Sequence, residues 1–196
     1  MRPTLSALYL VWTAWAVTWL VAALWANRTV ARPAAKREWR YRVFTFPGWV
    51  LLLSWPVAWR RPFPAGPWQP LWQLPAGVEW ALVALAAGGC ALAWWARIHL
   101  GKLWSASLTR KTDHRIVDSG PYAIVRHPIY TGLYMAAVAT VGVRASAVVV
   151  AGFALYLIGY WRKAREEERF LAAELGPQAY EDYRQRVPML LPFGPK

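Results

Sequence analysis

Apolar residues along this chain gather in five runs divided by charged or proline-rich stretches. Residues 5–26 form the first, about 22 positions without a charge, followed by 44–59, 78–98, 129–143 and 145–161. Runs approaching ~20 residues are long enough to cross a bilayer as helices. The pattern predicts an all-α polytopic membrane bundle of about five transmembrane helices. Pro47 and Pro56 predict a kinked or broken second span. The Gly88-Gly89 pair in the third predicts a close helix contact. Spans four and five are short and form a helical hairpin turning near Arg144. The second arm is expected to continue as a helix to Leu175, with Gly176 as its cap and Pro177 opening a short helix that Val187-Pro188 ends.

The intervening segments refine this picture. Residues 27–42 read as a polar loop, and 60–77, with five prolines plus Trp68 and Trp72, as an irregular interfacial loop with aromatic anchors. Of the 23 lysines and arginines, 19 fall in residues 27–43, 97–128 and 162–196. Five spans with the N-terminus outside put all three segments in the cytoplasm. The net charge of +13 is thereby distributed as topology determinants are, and it argues for contact with anionic lipid headgroups and against nucleic acid. The first run is longer than a signal-peptide core and lacks a small-residue cleavage pattern, so it is expected to be retained. A single cysteine, Cys90, allows no disulfide framework within the chain. The spacing of His99, His114 and His127 fits no simple metal site.

Residues 114–132, H-R-I-V-D-S-G-P-Y-A-I-V-R-H-P-I-Y-T-G, concentrate backbone-restricting and hydrogen-bonding groups directly before an apolar run. Gly120-Pro121 interrupts any helix, and Pro128 pushes His127 toward an extended conformation. The segment after residue 162 adds Glu166, Glu167, Glu168 and Arg169, then Tyr180, Tyr183 and Arg186. Each piece alone is ordinary: glutamates where a helix leaves the bilayer are commonly a solvated face, and tyrosines three apart commonly pack one helix on its neighbour. Both segments fall on one predicted membrane face and can meet there.

The ordered set S-G-P-Y-x-x-V-R-H-P-x-Y-x-G (residues 119–132), E-E-x-x-L (167–171), Y-x-x-Y (180–183) and R-V-P (186–188) resembles the isoprenylcysteine carboxyl methyltransferase family and its relatives that methylate phospholipid amines. The resemblance covers roughly residues 99–193. It implies an N-terminal set of helices in residues 1–98 and a catalytic region in 99–196. It further implies S-adenosylmethionine bound by His114, Arg115, Ile116, Val117, Tyr122, His127, Pro128, Ile129, Tyr130, Glu167 and Glu168. Arg186, and with it Tyr183, would meet the acceptor, with Arg186 and Glu167 in catalytic roles. Met189 and Leu190 stand where the family often has small or basic residues, a departure that bears on acceptor choice. The expected reaction is methyl transfer to a lipophilic acceptor from the bilayer, foremost the carboxylate of an isoprenylcysteine-like molecule.

Methyl transfer from a sulfonium is mainly a problem of orienting nucleophile, carbon and sulfur in line. An arginine fork suits a carboxylate acceptor, while an amine acceptor needs a base such as Glu167 or Glu168. Other readings stay open: a lipid-amine N-methyltransferase, an intramembrane NADPH-dependent reductase of similar architecture, or a non-catalytic transporter or adaptor. Ionisable groups crowd one interface and avoid the centres of the predicted spans, which disfavours a translocation path.

Overall fold

A computed structural model describes residues 2–25, 29–31, 35–54, 66–104, 110–111 and 116–195. Six α-helices follow in order: α1 (Pro3–Ala22), α2 (Ala35–Leu53), α3 (Ala76–Leu100), α4 (Pro128–Arg144), α5 (Ala147–Leu175) and α6 (Pro177–Arg186). A short antiparallel pair, β1 (Thr29–Ala31) and β2 (Arg110–Lys111), is the only sheet among the described residues. The protein is a helical membrane bundle. Three of its helices, α1, α3 with its 3-10 continuation to Leu103, and α5, are long and apolar enough to cross a membrane.

Lipid gives helices no hydrophobic reason to associate with one another, so close packing through small residues must hold them. Two such seams organise the bundle. Between α3 and α4, a Cβ on Gly89 would overlap the Gly132 carbonyl oxygen, and one on Gly132 would overlap that of Gly89. Gly88 has open space around it. Of the glycine pair expected to make a close contact, only the second does so, because the next residue along a helix points some 100° away. Between α2 and α5, Gly48 lies against the backbone of Tyr156, Gly152 against Leu51 and Leu52, and Gly159 against Thr45. The seam fixes α2 along almost its whole apolar half. Outward-facing Leu10, Leu20, Val50, Trp95 and Ile158 present the apolar exterior that a bilayer requires.

Helix α2 begins at Ala35, inside the stretch expected to be a polar loop, and runs unbroken through Pro47. Pro56 lies outside the described residues. Glu38 and Arg42 pair one turn apart on this first part of α2, and i,i+4 pairs of this kind support a solvated helix that a count of charges reads as loop. The hairpin turns as expected: Ala145 adopts a left-handed conformation (φ 51°), and the Ser146 side chain caps α5. Gly176 (φ 102°) separates α5 from α6, with Pro177 at the first position of α6.

The end of the bundle at this hairpin turn is closed by charge. Arg2 and Thr4 both bond the buried Glu79, and Arg2 also donates to the Val143 carbonyl (3.0 Å). Arg144 is buried, donating to the Tyr9 hydroxyl and to Ser54 Oγ (3.1 Å).

Candidate functional site

The site lies at the other end of the bundle and starts from a turn only glycine makes easily. Gly120 has φ 56°, and a Cβ there would strike the His99 ring. His99 in turn shares a hydrogen bond with Ser119 Oγ (2.9 Å). The turn continues as a 3-10 helix over Gly120–Ala123 that buries Pro121 and Tyr122.

Helix α6 docks on this turn through an aromatic patch. Tyr180, Tyr183 and Val187 pack with Ile116, Leu171 and Ala172, and the Tyr183 hydroxyl donates to the Tyr122 carbonyl (2.8 Å). Burial raises the Tyr183 phenol above its ordinary range against the opposing influence of Arg126, so it works here as a neutral donor. The chain leaving α6 then lies along the start of α4. Arg126 N donates to the Pro188 carbonyl (2.9 Å), His127 N to that of Met189 (3.1 Å), and Thr131 Oγ1 to that of Leu190 (2.6 Å).

Charge is concentrated where these segments meet the end of α5. The Arg126 guanidinium, 2% exposed, donates through Nε to Glu168 Oε1 (2.7 Å) and through Nη1 to the carbonyls of Arg184 (3.1 Å) and Val187. One cation thus ties the loop, α5 and the end of α6 together. A buried ion pair is favourable only with such extra hydrogen bonds, and removing one partner is severe. His127 Nε2 lies 3.2 Å from the same Glu168 oxygen, and Nδ1 lies 3.6 Å from Glu167 Oε2. Tyr130 donates to Glu167 Oε1 (2.6 Å), and its ring stacks on His127 at 5.4 Å and 7°. Glu167 keeps 22% of its side chain exposed, against 7% for His127. Lys163 approaches Glu167 Oε1 at 3.9 Å with its ammonium 5.4–5.8 Å from the ring centres of Tyr41, Tyr130 and Tyr160. Tyrosine faces attract cations at such separations.

Of the residues singled out from the sequence, His127, Tyr130, Glu167 and Glu168 converge at this point. Pro128 is buried at the start of α4, and Ile129 packs against the hydrophobic core of the bundle. Ile116 and Tyr183 belong to the aromatic patch beside the charged network, and Tyr122 is the buried floor of that patch. Val117 is partly buried in the chain leading into the turn. Arg186 stands apart: it is exposed, with Nη2 3.2 Å from Asp118 Oδ2. His114 and Arg115 lie outside the described residues. Among those described, no group of three His, Cys, Asp or Glu side chains is arranged to hold a metal. Sequence reasoning passed over Arg126, although it stands inside the R-H-P motif. It also passed over Lys163 and Tyr41, for which no local signal exists.

The fold and site define a helical membrane protein whose polar machinery is assembled at one end of the bundle. Residues 82–173 match the isoprenylcysteine carboxyl methyltransferase (ICMT) family. A protein-S-isoprenylcysteine O-methyltransferase of Schizosaccharomyces pombe is 36% identical over 87 residues, 44% of this chain and 36% of that protein. The Homo sapiens enzyme of the same name is 33% identical over 84 residues, 42% and 30% of the two chains. The alignments thus span about a third of the length of these relatives. A methanethiol S-methyltransferase 2 of Bradyrhizobium diazoefficiens is 32% identical over 203 aligned positions, 90% of this chain and 72% of that protein. The chain belongs to the isoprenylcysteine carboxyl methyltransferase family.

Proposed function

We propose that the protein is an integral membrane methyltransferase, moving a methyl group from S-adenosylmethionine to a lipophilic acceptor that enters from the bilayer. The observation that carries this reading is the meeting of the R-H-P-x-Y loop and the paired glutamates. Through Arg126, His127 and Tyr130 they become one buried network with a single partly open carboxylate, Glu167. The residues suit a sulfonium donor. Glu167 offers an accessible negative charge, and the tyrosine faces around Lys163 already accommodate an onium group.

When bound, the donor supplies an electrophilic methyl carbon. His127, Pro128, Ile129, Tyr130, Glu167 and Glu168 would hold it from the α4 and α5 side. His114, Arg115, Ile116, Val117 and Tyr122 complete the binding segment. Glu168, clamped by Arg126, fixes the His127 ring, and Tyr130 fixes Glu167, so orientation is set before the donor arrives. In this reading the catalytic region is residues 99–196, and the distribution of basic residues supports a cytoplasmic position for it with the N-terminus outside.

The first candidate acceptor is an isoprenylcysteine-like carboxylate, engaged by Arg186 with Tyr183 nearby. A second reading has its own observations. Arg186 is exposed and occupied by Asp118, away from the buried network, and the relative aligned over most of its length is named for a small thiol. Under that reading the acceptor is a compact thiol, and Arg186 takes no part in binding it.

Calorimetric titration of S-adenosylmethionine and S-adenosylhomocysteine into detergent-purified protein tests the donor. Binding that is lost in His127→Ala and Glu167→Ala supports the assignment, and no binding by folded protein sinks it. Methyl transfer to a prenylcysteine analogue and to a short alkyl thiol then separates the two acceptors.

A further inference from the structure

We infer that the segment following α6, Met189-Leu190-Leu191-Pro192-Phe193, is an interfacial anchor that docks the rim of the site onto the lipid headgroup and acyl boundary. The inference is independent of which acceptor or donor the site takes.

Its level in the membrane follows from the hairpin. Helices α4 and α5 are antiparallel neighbours, and the Tyr130 and Tyr160 rings touch at 5.0 Å. The first turn of α4 therefore stands level with Tyr160 and Trp161 of α5. Trp161 is 49% exposed on the outside of the bundle. Charges begin immediately after it, with the Arg165 guanidinium 5.4 Å from the Trp161 ring. An outward tryptophan followed by arginines marks the boundary between hydrocarbon and headgroups. Thr131, in the first turn of α4, holds Leu190 by a 2.6 Å hydrogen bond. The apolar segment is tied to the helix at that same boundary.

The segment's own conformation turns it outward. Gly194 N closes a turn onto the Leu191 carbonyl (2.9 Å), with Phe193 left-handed at φ 63°. A bulky residue rarely adopts that region. Leu191 is 66% exposed, and Phe193 is exposed completely. Two large apolar side chains held out at headgroup level, both largely exposed, have the chemistry of an interfacial anchor. Their partner is lipid, which takes such side chains to a depth of roughly 5–10 Å.

The test uses the full chain in proteoliposomes. A Cys90→Ala background carries either Phe193→Cys or Leu191→Cys, labelled with an environment-sensitive fluorophore. Gln185→Cys on the exposed face of α6 is the reference. The expected result is a blue-shifted probe at 193 and 191, quenched by lipids with a shallow nitroxide and shielded from aqueous iodide. The probe at 185 should show the reverse. Iodide quenching at both 193 and 191 equal to that at 185 would overturn the inference. Protection from both quenchers would overturn it too, because it would mean that protein covers the segment.

Discussion

The two ends of the bundle use the same side chains to opposite effect. At the hairpin-turn end, Arg144 and the Arg2–Glu79 pair are consumed by the fold: hydroxyls, a carbonyl and a carboxylate answer them at once. At the site end, Arg126 is just as fully answered, yet its partner Glu168 passes the constraint on to His127. Beyond these stands Glu167, held by Tyr130 and left partly open. Buried charge alone therefore does not mark a site. What distinguishes this one is a rigid inner ring of satisfied charges supporting an outer carboxylate that still has a free side.

That contrast can be broken by substitution, beginning with its strongest element. Arg126→Ala leaves Glu168 buried without its cation and frees the end of α6. It should cost about 3–5 kcal/mol and abolish donor binding, read by thermal unfolding and calorimetry on one preparation. Arg144→Ala is the counterpart at the closed end. Loss of charge-assisted hydrogen bonds, each about 1.5–3 kcal/mol, should lower the unfolding temperature while the S-adenosylhomocysteine dissociation constant stays at the parent value. A change in that constant would mean that the two ends are coupled.

Tyr130→Phe sharpens the comparison by keeping the ring and deleting only the donor to Glu167. The expected result is a modest stability change, within about 1.5–3 kcal/mol, with a several-fold loss of donor affinity. Unaltered affinity would show that Glu167 needs no positioning. The smallest effect belongs to Arg186→Gln. Its exposed pair with Asp118 is of a kind worth about 0–1 kcal/mol, so stability should hardly move. A raised acceptor KM for a prenylcysteine analogue would support the carboxylate reading, and unchanged kinetics with a small thiol would support the second.

Much of this was legible before any coordinates. The hairpin, the continuation of α5 past its apolar half, the glycine stop and the proline restart are written in local residue chemistry, whereas the grouping of His127 and Tyr130 with the paired glutamates follows from the family resemblance. What escaped was long-range or ambiguous. The start of α2 at Ala35 was hidden because charges on a solvated helix look like a loop. Tyr41 joins Lys163 only because the Gly48, Gly152 and Gly159 seam brings α2 against α5, a meeting no local window contains. Arg126 is visible in its motif, but its partners lie 42, 58 and 61 residues away.

The length of α4 carries a further consequence. Its 17 residues reach about 26 Å at 1.5 Å per residue, short of an average hydrocarbon thickness of about 30 Å. Unlike α1, α3 and α5, it is not long and apolar enough to cross by itself, and its Gly132 face is closed by backbone contact with Gly89 of α3. Most of α4 is buried among its neighbours, so protein more than lipid meets the shorter helix, and its length is a matter for the bundle and not for the bilayer.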